Sequence, residues 1–222
     1  MRIAVIDYGM GNLRSAAQAM RRVAPHVTVE ITADDAAIKA ADRVIFPGQG
    51  AMPDCMGEMR RSGLEEAVRH AALNKPFLGI CIGMQMLFDE SEEAHPREPG
   101  QPNTGTAGLG IFKGRVRRFP HERMLSLSGE RLKVPHMGWN NVIQAEPTHA
   151  LWHGIASGTR FYFVHSYFPD PLNSVESTAA ADYPFRFTCA VARDNIFGVQ
   201  FHPEKSHDAG LMLLANFARW NP

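Results

Sequence analysis

The sequence shows no excess of charge of either sign. Its 222 residues include 23 lysines and arginines against 23 aspartates and glutamates, so the formal net charge at pH 7 is zero. Proteins that bind nucleic acids usually carry a basic stripe that releases the counterions of phosphates. The 10 histidines do not supply one, because most histidine side chains are uncharged near neutral pH. The balance therefore argues against a nucleic-acid-binding protein.

Cysteine and long apolar runs are scarce as well. The chain has three cysteines, Cys55, Cys81 and Cys189, and such an odd, widely spaced set is typical of reduced cytoplasmic thiols rather than of a disulfide framework. No Cys-x-x-Cys pair occurs, and we expect no bound metal. No run approaches the roughly 20 apolar residues of a membrane helix, and residues 1–7 favour a strand over a signal peptide. We expect a soluble, cytoplasmic protein.

The first half of the chain alternates short apolar runs with amphipathic stretches. Apolar residues recur at helical spacing in the longer segments and form continuous runs in the shorter ones. The pattern predicts strands over residues 3–6, 27–31, 43–46 and 76–80, and helices over residues 13–23 and 56–73. Strands separated by helices of this length imply right-handed βαβ units and a parallel sheet.

The second half is richer in strand-like runs. Residues 91–108 are polar and contain many prolines and glycines, which predicts an exposed loop. Strands follow over residues 111–119, 160–163, 187–193 and 196–201, with a tight turn at Asp194-Asn195 and a final helix over 209–220. We predict one α/β domain over residues 1–222, with an open, mostly parallel sheet flanked by helices and extra antiparallel strands in the second half.

The strongest chemical signal is the segment Gly79-Ile80-Cys81-Ile82-Gly83, which follows an apolar strand and opens a short helical pattern. It has the form of a nucleophile elbow with cysteine in place of serine. Small residues two before and two after the nucleophile fit a crowded strand-to-helix turn, and a helix N-terminus favours a thiolate. The alternative is that Cys81 is a buried core thiol, since cysteine is often buried.

A thiol nucleophile needs a base, and the best candidate is His202. An apolar strand ends there, Pro203 keeps it extended, and a carboxylate, Glu204, follows two residues later. The three side chains would form a Cys-His-Glu triad in which the carboxylate orients the imidazole. Taken alone, the His-Pro-Glu segment is more typical of a capping or surface role.

Two glycine-rich turns are candidates for binding roles. The turn Pro47-Gly48-Gln49-Gly50 follows the third strand and exposes backbone amides, which suits an oxyanion site. Taken by itself, the segment is more typical of an ordinary strand-ending turn. The turn Gly9-Met10-Gly11 lacks the third glycine of a dinucleotide fingerprint, and we expect no cofactor.

Together these segments resemble the class I (triad) glutamine amidotransferases, and within them the family of glutaminase subunits of imidazole glycerol phosphate synthase. The triad segments are shared across the class. Two segments point to the narrower family, and the resemblance runs nearly from end to end. These segments are Asp7-Tyr8-Gly9-Met10-Gly11-Asn12 and Pro135-His136-Met137-Gly138-Trp139-Asn140.

The resemblance implies a mechanism for the triad. Cys81 would attack the side-chain carboxamide of glutamine, His202 would act first as general base and then as general acid, and Glu204 would orient His202. Water would then hydrolyse the glutamyl thioester, which yields glutamate and ammonia. The family also implies a glycine-rich turn that rotates when a partner binds. Backbone amides that would hold the oxyanion belong to Gly48, Gln49, Gly50 and Ile82.

The resemblance also implies a substrate site and a partner. Glutamine would be held by Gln85, His165, Ser166 and Tyr167, although His165 and Tyr167 could equally be core residues beside Phe161 and Phe163. The partner would be a (β/α)8-barrel cyclase subunit that receives ammonia through a tunnel in a heterodimer. Its nucleotide would bind the barrel rather than this chain. Interface residues would include Trp139 and Lys205.

The sequence departs from the family pattern at three places, and three other functions are alternatives. The stretches 91–108 and 121–129 are longer than the family pattern, and Gln49 stands where a small apolar residue is typical. The other functions are a class I glutaminase of another pathway, a catalytically silent scaffold, and a cysteine hydrolase or peptidase. The Trp139 segment argues against the first of these and the intact triad against the second.

Overall fold

Residues 1–95, 104–126 and 128–222 are described by a computed structural model. Within these ranges the chain forms fourteen strands and six α-helices. The strands are β1 (Arg2–Ile6), β2 (Thr28–Thr32), β3 (Arg43–Gly48), β4 (Phe77–Cys81), β5 (Phe88–Ser91), β6 (Thr106–Ala107), β7 (Phe112–Arg118), β8 (His136–Asn141), β9 (Ile143–Gln144), β10 (Arg160–His165), β11 (Tyr167–Pro171), β12 (Ser177–Asp182), β13 (Arg186–Arg193) and β14 (Ile196–Val199). The helices are α1 (Leu13–Val23), α2 (Asp35–Ala40), α3 (Met52–Ser62), α4 (Glu65–Asn74), α5 (Ile82–Gln85) and α6 (His207–Arg219).

The largest sheet contains eight strands in the order β2-β1-β3-β4-β14-β13-β12-β9. Its first five strands are parallel, and each of the last three runs antiparallel to its neighbour. Every residue of β3, β4 and β14 is buried, as expected for parallel strands with helices on both faces. The predicted fold class, a mostly parallel sheet with antiparallel strands from the second half, is confirmed.

Two smaller sheets complete the architecture. β10 pairs with β8, and the other sheet has the order β11-β7-β5-β6. The strands β8, β11 and β12 were not predicted, because none of their sequences has a clear period of two. β8 contains a glycine, β11 contains two prolines, and β12 consists of small and polar residues. The predicted turn at Asp194-Asn195 is confirmed as the two-residue connection between β13 and β14, with Asp194 at φ +50°.

The predicted helix over 56–73 is wrong, because the structure has two helices there. α3 ends at Gly63, whose φ of +72° is left-handed and whose N–H bonds to the carbonyls of Met59 and Arg60. Glycine adopts this conformation without the steric cost that a Cβ brings, so it ends helices efficiently. α4 then begins two residues later with Glu65 and Glu66 in its first turn.

The predicted exposed loop over 91–108 is wrong at both ends. Ser91 belongs to β5, and the two-residue strand β6 pairs antiparallel with it through Ser91 and Thr106. Residues 96–103, the middle of the loop, lie outside the described residues. The helix α2 was also missed; the side chain of Asp34 accepts a hydrogen bond from the Ala37 N–H and caps its first turn.

The topology brings three strand ends together. β4 lies between β3 and β14 in the parallel part of the sheet, so the carboxyl ends of all three strands meet at one edge. Gly48 pairs with Cys81 in the register of β3 and β4, and His202 follows β14 by three residues. Ligands of open α/β sheets bind at such an edge.

Helix α6 packs closely on the turn that follows β14. A Cβ added at Gly210 would lie far inside contact distance of Pro203 O, whereas a Cβ added at Gly57 in α3 would meet nothing within 4 Å. We predict that Gly210→Ala lowers the free energy of unfolding by about 1–3 kcal/mol. The same substitution at Gly57 should raise it by about 0.5–1 kcal/mol, because alanine is the better helix former. Denaturant titration measures both free energies of unfolding. Equal values for the Gly210 and Gly57 variants would contradict the close packing of α6.

Candidate active site

Cys81 sits on a sharp turn between a strand and a helix. It is the last residue of β4, and α5 begins at the next residue. Its φ of +55° is left-handed, a conformation that costs a non-glycine residue energy and persists only where the surroundings enforce it. The side chain is 4% exposed. This is the backbone of a nucleophile elbow with cysteine at its apex.

Three glycines make room for this turn. A Cβ on Gly79 would lie 3.0 Å from Met84 Cα, and a Cβ on Gly48 would lie 2.6 Å from Gly83 N. A Cβ on Gly83 itself would collide with Phe46 O. The crowding two residues before and two after Cys81, which the sequence predicts, is therefore present. Gly48 adds a third close approach, because β3 passes directly behind the elbow.

His202 is held in a single orientation next to this turn. Its N–H donates to Tyr162 O at 2.9 Å, and the Ser206 hydroxyl donates to His202 O. Its Nδ1 lies 2.9 Å from Glu204 Oε1, and both side chains are buried. A carboxylate at this distance fixes the proton on Nδ1, which leaves Nε2 as the basic nitrogen. Within the described residues Nε2 is buried and makes no hydrogen bond.

The electrostatics of His202 depend on its two neighbours. Burial alone would lower the pKa of the imidazole, but the negative charges of the Cys81 thiolate and of Glu204 outweigh burial and raise the pKa above 6.5. A positive imidazolium is therefore favoured whenever Cys81 is ionised. In that state the imidazolium can deliver a proton to a leaving group.

A cavity of about 330 Å³ opens in front of Cys81 and His202. It contains most of the side chains that the sequence assigns to oxyanion and substrate binding, whereas Gly48 lies behind the elbow against Gly83. Of the two predicted interface residues, Lys205 reaches the cavity and Trp139 lies outside it. The lining consists of Gln49, Gly50, Cys81, Ile82, Gln85, Glu93, Pro135, Val164, His165, Ser166, Tyr167, His202 and Lys205.

Gln49 and Gly50 approach the cavity from the end of β3. The carbonyl of Gln49 accepts a hydrogen bond from the Cys55 thiol at 3.4 Å, so that carbonyl points toward α3. Gly50 has a φ of +103°, which the glycine tolerates without strain. Burial raises the pKa of the Cys55 thiol to about 11, so this thiol is a neutral donor to the turn.

His165 belongs both to the aromatic core and to the cavity wall. Its ring lies 5.5 Å from the ring of Phe163 and 5.3 Å from that of Phe187, centroid to centroid. Its Nδ1–H donates to Tyr167 O at 2.8 Å, and its Nε2 accepts from His136 Nδ1 at 2.9 Å. His165 therefore packs in the core and also lines the cavity, and its contact with glutamine stays a prediction. Ser166 holds the wall through its carbonyl, which accepts from the Phe119 N–H.

Two polar residues of this region were missed by sequence reasoning. Glu93 lines the cavity, and its Oε2 accepts a hydrogen bond from the Met52 N–H at the start of α3, at 2.8 Å. Burial raises the pKa of its carboxyl group, and the bond from Met52 limits the rise. Gln200, fully buried after β14, donates to Cys81 Sγ at 3.6 Å. The sequence could have indicated Gln200, because it is a polar residue within an apolar run. Glu93 gives no such signal, because it lies among other charged residues.

An exposed apolar surface lies beside the cavity. Trp139 on β8 is 37% exposed, and its ring stacks on the ring of His207 at 5.0 Å with an interplanar angle of 3°. Met137 on the same strand is 62% exposed. Lys205 is exposed and lines the cavity.

The described ranges hold no group of three histidine, cysteine, aspartate or glutamate side chains arranged to bind a metal ion. His149 and His153 are four residues apart, but the Nδ1 of His149 accepts the Leu151 N–H instead. All three cysteines are free and buried. None of the helices in these ranges has the length and apolar character to cross a membrane.

The fold and this site define a class of protein. The family described as "Glutamine amidotransferase class-I" matches residues 4–219, and the chain belongs to it. A solved structure titled "Crystal structure of glutamine amidotransferase" aligns with a TM-score of 0.65 over 96% of this chain and 98% of that one; at 17% identity it shows the shared fold.

Closer relatives narrow the family. The chain is 58% identical to "Imidazole glycerol phosphate synthase subunit HisH" of Nitrosospira multiformis, over 99% of this chain and 98% of that protein. It is also 58% identical to the subunit of the same name from Dechloromonas aromatica, over 99% and 97%. The chain therefore belongs to the family of HisH subunits within the class I amidotransferases.

The buried histidine pair predicts an acid-sensitive fold. Burial lowers the pKa of His136 to about 4 and, together with the neighbouring His136, lowers the pKa of His165 to about 3. Both rings therefore stay neutral in the folded state while they protonate in the unfolded state below about pH 6.5. Their contribution to stability is present above pH 6.5 and is lost as the pH falls toward 4. Each histidine accounts for about 1.4 kcal/mol per pH unit in that window.

The measurement is denaturant unfolding between pH 7 and pH 4.5. His136→Asn should flatten the dependence of unfolding free energy on pH by up to one histidine's share. The substitution His26→Asn, at an exposed position, is the matched control and should leave the slope unchanged. Identical slopes in the wild-type chain and the His136 variant would contradict the neutral pair.

Proposed function

We propose that this chain hydrolyses glutamine to glutamate and ammonia through a cysteine thioester, and that residues 1–222 act as one glutamine amidotransferase domain. The observation that carries the proposal is the elbow that presents Cys81 to the cavity beside His202, whose imidazole is bonded to Glu204. A cytoplasmic location fits three free thiols, because that compartment keeps cysteine reduced.

The chemistry follows from the atoms that meet in the cavity. Cys81 Sγ attacks the carboxamide carbon of glutamine, and the negative charge moves to the carbonyl oxygen. His202, protonated on Nε2, donates that proton to the departing nitrogen, and ammonia leaves. His202 then takes a proton from water, which attacks the thioester carbon and releases glutamate and the thiolate. Glu204 keeps the imidazole oriented throughout.

The oxyanion is assigned to backbone amides around the elbow. Gln49, Gly50 and Ile82 border the cavity beside Cys81, and Ile82 begins α5, where free N–H groups point at developing negative charge. Gly48 contributes through the turn that it shares with Gln49. Its close packing against Gly83 ties the turn to the elbow.

Glutamine recognition is assigned to the other residues that line the cavity. Gln85 Oε1 is buried and makes no hydrogen bond within the described residues, so a donor from the substrate can satisfy it. The Glu93 carboxylate borders the same space and suits the α-ammonium of glutamine. His165, Ser166 and Tyr167 close the wall.

The proposed partner is a (β/α)8-barrel cyclase subunit. The HisH relatives are named as subunits of imidazole glycerol phosphate synthase, and an exposed patch of Met137 and Trp139 lies beside the cavity together with Lys205. Aromatic residues of this kind anchor interfaces. Ammonia delivered directly into the partner is not lost as ammonium. The partner would use it to form imidazole glycerol phosphate and an aminoimidazole carboxamide ribonucleotide.

Substitution of the nucleophile tests the proposed reaction. Cys81→Ala should abolish glutamate release from glutamine, because no thioester can form. Binding to the cyclase subunit, and its reaction with added ammonia, should be unchanged. Glutamate assays of the wild-type chain, alone and with the cyclase and its nucleotide, give the reference rate.

The reference assays also separate the competing functions. Stimulation by the cyclase supports the proposal. Activity that ignores the cyclase would move the chain to another amidotransferase pathway, and inactivity within a verified complex would favour a silent scaffold. Cleavage of peptides in place of glutamine would indicate a peptidase.

Removing the charge of Glu93 tests the recognition site. Glu93→Gln keeps an oxygen for the Met52 N–H but loses the charge for the substrate ammonium. We expect KM for glutamine to rise about 10-fold or more, the cost of a lost charge-assisted hydrogen bond, with a smaller change in kcat. Glu90→Gln is the matched control, since Glu90 pairs with Arg115 at the surface. An unchanged KM in the Glu93 variant would contradict the assignment.

A further inference from the structure

A buried chain of hydrogen bonds links Gln85, at the cavity wall, to the sulfur of Cys81. Gln85 Nε2 donates to Tyr167 O at 3.2 Å and to Gln200 Oε1 at 2.9 Å. Gln200 Nε2 in turn donates to Cys81 Sγ at 3.6 Å. The two glutamine side chains are 1% and 0% exposed. Buried amides of this kind are retained only where their donors and acceptors are used.

The direction of this chain is set by one backbone carbonyl. Tyr167 O can only accept, and it accepts from His165 Nδ1 as well as from Gln85. Gln85 must therefore present its NH₂ group to Tyr167. The same NH₂ group faces Gln200, so Gln200 must present its oxygen to Gln85. Its own NH₂ group then faces the sulfur.

The other groups around the sulfur divide into charged and neutral. His202 provides positive charge, and Glu93 lines the same cavity. Burial raises the pKa values of Tyr8 and Cys55, which also lie near Cys81, so both stay neutral across the working range. Neither of them competes for the proton of Cys81. The side-chain amide of Gln200 is also neutral, so its hydrogen bond to the sulfur does not depend on a titrating group.

We propose that Gln200 is a further catalytic residue of the glutaminase reaction. Its side-chain N–H stabilises the Cys81 thiolate, both before attack and when the thiolate leaves the thioester. Gln85 is the positioning residue that keeps the nitrogen of Gln200, rather than its oxygen, toward the sulfur. The inference rests on the function proposed above, and its test is independent of glutamine.

The test is the rate at which iodoacetamide alkylates Cys81 as a function of pH. Gln200→Met keeps the length of the side chain and removes the donor. Losing a hydrogen bond to a charged group should raise the midpoint of the profile by about one to two pH units, with alkylation at least about tenfold slower below it. Gln85→Met should shift the midpoint in the same direction, because Gln200 can then turn its oxygen to the sulfur.

Two controls separate alkylation of Cys81 from alkylation of the other thiols, and the loss of the donor from the general effect of a substitution. Cys81→Ser gives the background from Cys55 and Cys189, which are fully buried and have raised thiol pKa values. Gln144→Met is the matched control. Gln144 lies on the edge strand β9 and donates a hydrogen bond to Ile155 O. This substitution should not move the midpoint of the alkylation profile. Gln200→Asn keeps a polar amide too short to reach the sulfur, and it answers the same question if Gln200→Met fails to fold.

An unchanged midpoint in a folded Gln200 variant would overturn the proposal. An equal shift in the Gln144 variant would overturn it too, because the effect would then come from general destabilisation. A wild-type chain that alkylates as described but releases no glutamate would contradict the proposed function and leave the role of Gln200 toward the thiolate standing. The two conclusions therefore fail separately.

Discussion

The left-handed backbone at Cys81 is the constraint on which the site depends. A φ of +55° for a non-glycine residue stores about 1–3 kcal/mol, and packing must hold it in place. Gly48, Gly79 and Gly83 leave the space that the turn occupies. The turn also sets the distance to the base, because Met84 on α5 lies over Gly198 on β14, where a Cβ would come within 2.5 Å of Met84 Cγ. His202 follows that same strand.

Charge and hydrogen bonding at the sulfur come from different directions. His202 and Glu204 form one side and are joined by a bond of 2.9 Å. Gln85 and Gln200 form the other, in an order fixed by Tyr167 O. His165 and His136 continue this second side toward β8, whose outer face carries Trp139. The neutral histidine pair keeps the wall free of positive charge that would compete with His202.

Much of this arrangement was readable from the sequence, because it depends on local rules. The helix α1 has the predicted bounds 13–23, and the alternation of strands and helices predicted the parallel sheet. The elbow glycines and the extended residue before Pro203 are likewise steric requirements of neighbouring residues. Family resemblance then supplied what spacing alone cannot, the pairing of segments 121 residues apart, since 202 minus 81 is 121.

The rest depended on contacts between distant segments. Gly63 splits a helix whose apolar spacing continues across it, and β8, β11 and β12 form by pairing rather than by their own pattern. Glu93 is one of several acidic residues in this stretch, and its place at the cavity wall comes from contacts with distant segments such as Met52.

On the proposed function, the elbow rather than thiol chemistry in general selects Cys81 as the nucleophile that attacks glutamine. A glutamine analogue with a chloroketone in place of the carboxamide tests it directly, with the labelled cysteine identified by peptide mass spectrometry. We predict one adduct, on Cys81, that excess glutamine suppresses. Labelling of Cys55 or Cys189, or labelling of Cys81 that glutamine does not slow, would contradict it.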